Sequence, residues 1–315
     1  MRSIMPENLF FPPEGLRPPS DCSLSALRDA VESGDILEAA VSRCGTDRTL
    51  FFSLGSVEGR MPRQEAVAPW ISGAGRDISV LSRVGKQTCF TVKSISADAK
   101  GAPVDLLSRR EAQEKAMAFF LAHLVPGSVL SCRVIRLEPF GAFLDIGCGI
   151  VAILPIEHIS VSRISHPKER FREGQKILAA VRAIDRERRR VTMTHRELLG
   201  TWIENASRFT PGETVRGIVR SVQEYGSFIE LAPNLSGLAD SRDGLVPGDP
   251  VSVYIKSIRP ERMKVKLQVI EKLPPLAAPD PIRYQITDGV LSHWVYSPPG
   301  CEKAVIETDF TALSP

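Results

Sequence analysis

Long apolar runs are missing from these 315 residues, and without a stretch of about 18 apolar positions the sequence offers no helix to cross a bilayer. Cysteine is scarce and unpaired. Cys22, Cys44, Cys89, Cys132, Cys148 and Cys301 form no C-x-x-C, which argues against a zinc ribbon or redox dithiol; reduced thiols in a cytoplasm are expected. His123, His158, His166, His195 and His293 are scattered, so no metal or cofactor is expected. No phosphate loop G-x-x-x-x-G-K-[ST], no H-E-x-x-H and no nucleophile elbow appears, and the expected protein is not an enzyme. A nuclease would need clustered carboxylates in a domain of their own, and little of the chain remains outside the repeats described next. Met1 to Ser20 carries five prolines and no apolar core before a cleavage site, which reads as an extended arm rather than a leader.

What the sequence does have is a repeat. Phe140-Gly141-Ala142-Phe143 returns at an offset of 85 as Tyr225-Gly226-Ser227-Phe228, and Gly127, Val134 and Ile146 return as Gly212, Val219 and Leu231. Apolar residues alternate around both tetrads, the signature of strands. Farther on, Gly174, Ile184 and Val191 match Gly248, Ile258 and Val265 at an offset of 74, so the later copy is shorter by the difference between the two offsets. The loss falls within Ile156 to Phe171, whose Ser/His/Pro content predicts a surface connection. A worn third copy precedes them. Gly34-Asp35-Ile36-Leu37 matches Gly127-Ser128-Val129-Leu130 at an offset of 93, and Phe51-Phe52-Ser53-Leu54-Gly55 matches Phe143-Leu144-Asp145-Ile146-Gly147 at an offset of 92, with Asp47-Arg48 where the first aromatic belongs. Its closing strands are predicted at 89–92 and 104–107.

Helices are predicted as connectors. Ser108-Arg109-Arg110-Glu111 has the form of a capping box ahead of an apolar stripe, Ala112, Ala116, Phe119, Phe120 and Leu124; Thr194-His195-Arg196-Glu197 has the same form ahead of Leu198, Leu199, Trp202, Ile203 and Ala206. After Pro274-Pro275, the segment Ile282 to Thr287, then Asp288-Gly289, then Val290 to Tyr296 predicts a hairpin on a two-residue turn. Residues 273–315 hold 2 basic and 5 acidic side chains, and His293, Trp294 and Tyr296 are expected to pack on the last barrel or to mark a docking surface.

Gly127 to Glu197, with F-G-A-F-L-D-I-G, S-R-I-S-H-P-K-E-R-F-R-E-G-Q and A-I-D-R-E-R-R-R-V-T-M, resembles the S1 RNA-binding domain family; Tyr225 to Leu267 resembles a second copy. Three copies and the tail resemble the short, three-repeat members of Gram-positive bacteria. The resemblance implies a mainly β chain of three tandem five-stranded OB-fold barrels, the first degenerate, joined by short α-helices. Its segments are an arm (1–22), barrel 1 (23–107), a linker helix (108–125), barrel 2 (126–194), a linker helix (195–209), barrel 3 with the shortened loop (210–272) and an acidic hairpin tail (273–315).

The chemistry follows from the residues. Glycine lets the strand bulge, so that Phe140 and Phe143 share a face on which bases stack; the alternative use of one ring of each pair is core packing. Beside them runs Arg186-Glu187-Arg188-Arg189-Arg190, and residues 125–199 hold 13 Lys/Arg against 8 Asp/Glu, a net of +5 on a chain of net +3. Carried over by the resemblance, the RNA-facing positions of barrel 2 are Phe140, Phe143, Asp185 and Arg190, with Arg188 beside them. Pro155 stands where the family has histidine, and His158 is the nearby substitute. In barrel 3 they are Tyr225, Phe228 and Lys264, with Arg262 beside them, Asp240 at the histidine position and Arg259 at the aspartate. Residues 210–272 hold 9 Lys/Arg against 8 Asp/Glu, so barrel 3 is expected to contribute less. Barrel 1 keeps Phe51 or Phe52 with Arg48, Arg60 and Arg63, and is expected to serve as support or protein contact. The expected function is binding of single-stranded RNA, messenger RNA in translation, on the small ribosomal subunit beside its proteins, with no membrane partner. The alternative is a protein-interaction scaffold or an RNA-binding regulator off the ribosome.

Overall fold

The computed structural model describes residues 11–313 except 19, 56, 72–74, 98–102, 276–280 and 304. Helix α1 (Leu24–Ser33) precedes five strands, β1 (Leu37–Cys44), β2 (Leu50–Leu54), β3 (Val57–Met61), β4 (Gln87–Ala97) and β5 (Pro103–Ser108), with the short α2 (Ile78–Leu81) between β3 and β4. Helix α3 (Arg109–His123) leads to β6 (Val129–Glu138), β7 (Gly141–Asp145), β8 (Val151–Pro155), β9 (Lys176–Asp185) and β10 (Arg190–Thr194). Helix α4 (Trp202–Ala206) leads to β11 (Thr214–Gln223), β12 (Gly226–Ala232), β13 (Leu235–Ala239), β14 (Pro250–Arg259) and β15 (Lys264–Lys272). Each group of five closes into a barrel in the order first, second, third, fifth, fourth, with the third and fifth strands parallel. That is the OB-fold order, and the chain is mainly β.

The repeat is legible at the level of register. An extra residue bulges the first strand of every barrel, Ser42 in β1, Ile135 in β6 and Arg220 in β11, at the same offsets of 93 and 85 that relate the sequence copies. Glycine has a different task from the one expected of it. The bulge lies on the facing strand, whereas Gly141 and Gly226 open β7 and β12 where a Cβ would stand 2.4 Å from the Leu154 carbonyl oxygen and 2.3 Å from that of Ala239.

Three expectations are corrected. The segment Ile156 to Phe171 is no surface connection: Ile159, Ser160, Ser162, Pro167, Arg170 and Phe171 are buried, and the stretch docks barrel 2 on barrel 3. There Val161 N–H donates to Asn234 Oδ1 (3.0 Å), Ser162 N–H to the Pro233 carbonyl (3.0 Å), and Arg170 and Arg220 both grip the buried Glu230 carboxylate, Arg220 through two bonds of 2.8 and 3.0 Å. The second linker is not one helix. Gly200, at φ 86°, separates a single turn at Arg196–Leu199 from α4, and the capping box is Thr201 with Glu204; Ile203 is exposed. At α3, Ser108 caps the Glu111 amide (3.0 Å) as predicted, and the Glu111 carboxylate lies 3.4 Å from Lys115.

The tail, third, has its antiparallel pair elsewhere: β16 (His293–Val295) pairs with β17 (Glu307–Asp309). Ile282 to Thr287 is no strand, because its groups are used singly by the barrels. Gln285 N–H donates to the Leu198 carbonyl (2.8 Å), and the Tyr284 hydroxyl accepts from Leu178 N–H (3.0 Å). Tyr284 lies 3.2 Å from His195 Nε2, whose Nδ1 faces the Ile159 carbonyl (2.7 Å). Since that carbonyl only accepts, Nδ1 carries the proton and Nε2 accepts from Tyr284. Trp294 and Tyr296 are buried in the barrel 3 core.

The extended arm, as far as it is described, lies in the seam between barrels 1 and 2; Met1–Phe10, including Pro6, and Pro19 lie outside the described residues. Phe11 packs on Phe119 (5.2 Å) and Phe120 (6.1 Å) of α3. Buried Glu14 takes Arg109 at 2.7 and 3.0 Å and Arg83 at 2.9 Å, while its amide donates to Asp145 Oδ2 (2.9 Å). Burial alone raises the Glu14 carboxyl, but Arg109 and Arg83 outweigh it and hold the group at about 2.

Candidate nucleic-acid interface

Phe140 is the second residue of the two-residue turn between Glu138 and Gly141, which face each other across the β6–β7 ladder. It is 58% exposed, and Phe143 is half-buried, so neither ring of the pair is core. Their centroids are 5.9 Å apart with planes at 88°, a corner rather than a flat platform. Across the sheet Phe143 faces Ile153 of β8, which faces Thr192 of β10; on the other side it faces Arg136 of β6. Side chains alternate along a strand, so Arg190, two before Thr192, lies on the same outer face.

Arg190 in turn faces Asp185 across the β9–β10 turn. Asp185 Oδ1 accepts the Arg188 amide (2.8 Å) and its Oδ2 lies 3.6 Å from the exposed Arg188 guanidinium, so this carboxylate both shapes the turn and loosely pairs with the side chain it presents. The structure therefore brings Phe140, Phe143, Asp185, Arg188 and Arg190 to one surface. His158 stands on the single turn after β8. Burial, then Arg182 and Arg196, depress its imidazole to about 4, so it is neutral at physiological pH and contributes no charge to the basic face.

Barrel 3 repeats the corner: Tyr225 is 68% exposed, Phe228 36%, with centroids 6.3 Å apart at 89°. Phe228 faces Leu238, and Leu238 faces Lys266, with Lys264 two positions away and facing Arg259. Arg262 is drawn aside, its guanidinium 2.9 Å from Glu302 of the tail. Asp240 is paired with Lys256 (3.2 Å), which offsets its charge on this face. Arg136 and Lys266 were missed by sequence reasoning; Lys266 could have been found, since the offset that matches Val191 to Val265 also matches Thr192 to Lys266.

Barrel 1 sorts its two aromatics cleanly. Phe52 is core, whereas Phe51 faces outward between Arg43 and Arg60, and the Arg43 guanidinium sits 3.4 Å over its ring. Glu58 ties both arginines (3.1 and 2.8 Å), and Asp77 ties Arg48 and Arg63, each at 2.9 Å. This face is internally satisfied. Among the described residues no three His, Cys, Asp or Glu side chains are grouped to hold a metal, and no helix is long and apolar enough to cross a membrane.

Exposed aromatic rings beside guanidiniums on an OB barrel carry the chemistry that nucleic-acid-binding surfaces use, rings for bases and guanidiniums for phosphates. The S1 RNA binding domain family model matches residues 125–196, and the middle barrel is such a domain. The chain is similar to small ribosomal subunit protein bS1 of Leuconostoc lactis, 29% identical over 187 residues covering 54% of this chain and 43% of that protein. It is likewise similar to the small ribosomal subunit protein bS1 homolog of Bacillus subtilis (strain 168), 30% identical over 179 residues, 52% of this chain and 47% of that one. A solved multidomain protein with nucleic acid binding domains from Streptococcus pneumoniae covers 75% of this chain and 73% of its own at 11% identity, with a TM-score of 0.26. The chain thus spans about half the length of the curated relatives it matches.

Proposed function

We propose that the chain is a non-enzymatic single-stranded RNA-binding protein that holds messenger RNA during translation in association with the small ribosomal subunit. The observation that carries it is the meeting, on one face of the S1 domain, of the Phe140–Phe143 corner with Arg188 and Arg190. Bases stack on the rings whatever their identity, and the arginines neutralise phosphates, so binding tolerates sequence. Barrel 3 extends the track at lower affinity, and barrel 1 serves as support. The names of the bS1 relatives support the ribosomal setting.

The test has two arms. Titration of the full chain with an unstructured oligoribonucleotide is expected to give affinity that falls with salt at a slope of about −0.7 per phosphate contacted, and no binding at low salt would sink the RNA reading. Sedimentation of cell extract is expected to place the protein with small subunits in a nuclease-sensitive manner. Protein capture that is salt-insensitive and nuclease-resistant would favour the scaffold; free sedimentation with retained RNA binding would favour the off-ribosome regulator.

A further inference from the structure

Barrel 1 does more for the middle barrel than stand beside it. The loop after β3 is pinned at two backbone positions by α3: Arg109 Nη1 donates to the Ala66 carbonyl (3.3 Å), and Gln113 Oε1 accepts the buried Ala68 amide (2.9 Å). Gln113 also reaches the Gly149 carbonyl of barrel 2 (3.4 Å), so the loop is registered against the second barrel. Two positions beyond Ala68, Trp70 packs half-buried against the barrel 2 core cluster. The Arg189 guanidinium lies 5.6 Å from the centre of its ring.

Arg189 occupies the corner of the basic turn with φ 51°. The matching corner of barrel 3 is Met263 at φ 45°, and its side chain packs toward that barrel's core. Barrel 2 thus keeps the backbone corner but replaces an inward anchor with a cation. Among the described residues, what anchors that cation is Trp70 of barrel 1 rather than barrel 2's own core. A guanidinium lying on an aromatic face keeps its in-plane N–H fork free, and that fork matches a phosphate. Arg186, by contrast, is spent on the Leu121 carbonyl of α3.

We propose that Trp70 and Arg189 form a phosphate-holding pair across the barrel 1–barrel 2 boundary, the indole fixing the guanidinium plane and the guanidinium edge binding a backbone phosphate of the strand. This rests on the RNA reading of the middle barrel. Trp70 is a positioning residue; Arg189 touches the ligand. The site takes a phosphodiester, with no preference for the base attached to it.

The full chain is titrated with a labelled unstructured oligouridylate across a salt series. Arg189→Ala is expected to weaken binding roughly three- to tenfold and to make the salt slope shallower by about 0.7, one phosphate. Trp70→Leu, which keeps apolar volume without a π face, is expected to lose a similar factor, Trp70→Phe to stay within about twofold of the unaltered chain, and the double variant W70L/R189A to bind no worse than R189A. Trp202 and Trp294 are 2% and 4% exposed, so a change in tryptophan emission on RNA addition reports Trp70 and should vanish in W70L. An unchanged salt slope in R189A, or losses that multiply in the double variant, overturns the pair. Should W70L fold poorly, R189A, an exposed substitution, still decides. F140A/F143A run in parallel separates the two claims. Normal binding there with weakened R189A overturns the aromatic corner and leaves the pair, and no binding by the unaltered chain overturns both.

Discussion

Replacing Phe140 and Phe143 together by alanine isolates base stacking from every other contribution. Phe140 is 58% exposed, so its truncation removes little burial from the folded state, whereas truncating a core ring such as Phe52 costs about 3–5 kcal/mol. The rings stand at 88° and can receive one base each rather than one base between them. At about 1–3 kcal/mol per stacked base, with Phe143 half-covered and so near the lower figure, the pair supplies about 2–4 kcal/mol. The double variant should therefore bind unstructured RNA about thirtyfold to a thousandfold more weakly. Its salt slope should not move, because Arg188 and Arg190 are untouched, and its thermal transition should fall modestly through the covered part of Phe143. Fluorescence anisotropy over a salt series, with calorimetry of the free proteins, measures all three. Affinity within twofold of the unaltered chain would refute the corner as the binding surface. A changed slope with unchanged intercept would mean that the rings act only by placing the arginines.

Other substitutions test the scaffold. Glu230→Gln leaves the buried Arg170 facing a neutral amide, while Arg220 keeps Glu169 as its carboxylate, so docking of barrels 2 and 3 should weaken by about 3 kcal/mol and calorimetry should resolve two transitions in place of one. Gly141→Ala puts a Cβ within 2.4 Å of the Leu154 carbonyl oxygen; about 1–3 kcal/mol of stability should be lost, and an unchanged melting temperature would show that β7 can move aside. Acid should act in two stages. Burial depresses His195 to about 4, so the unfolded chain takes up its proton first and stability falls as pH drops from 6.5 toward 4. Glu14, held at about 2 against an ordinary 4.5, contributes fully above pH 4.5 and is lost below it; E14Q should diminish the second stage and, because burial and then the Glu14 charge raise Asp145 to about 7, also alter the dependence between pH 7 and 4, as read from melting temperature against pH.

Sequence exposed the barrels because what makes them is local. Alternation along each strand, a glycine where a carbonyl presses on the backbone, and a recurrent bulge at Ser42, Ile135 and Arg220 all repeat at fixed spacing. The exposed aromatics were legible for the same reason, since the last residue of a two-residue turn and the third strand residue have no freedom to change sides. What stayed hidden was where polar connectors spend their hydrogen bonds. Ser160, Ser162 and Arg170 look like loop composition until Asn234, Pro233 and Glu230 of the next barrel are beside them. Asp288-Gly289 is a sound hairpin signal, yet Val129 N–H takes the Gly289 carbonyl (3.0 Å) and the Leu198 carbonyl takes Gln285 N–H, so the backbone there is spent on the barrels rather than on a ladder. Glu14 carried no sequence signal, because its partners Arg83 and Arg109 belong to a loop of barrel 1 and to α3, far along the chain.

The unequal barrels follow from what lies over one position in a shared register. The row through the outward aromatic is Arg43, Phe51, Arg60 in barrel 1, Arg136, Phe143, Ile153, Thr192 in barrel 2, and Ser221, Phe228, Leu238, Lys266 in barrel 3. In barrel 1 the ring lies beneath a guanidinium that Glu58 holds in place, so a base would have to displace a cation–π contact and break an ion pair before stacking. In barrel 2 Arg136 stands where Arg43 does but pairs with Glu138 instead of covering the ring, Ile153 and Thr192 carry no charge, and the base meets a ring already half-desolvated. In barrel 3 the ring is open, but the nearest turn has lent Arg262 to Glu302. Affinity should therefore rank middle, third, first. Barrel 1, its outward ring covered, meets the middle barrel through Trp70 and the Glu14 seam.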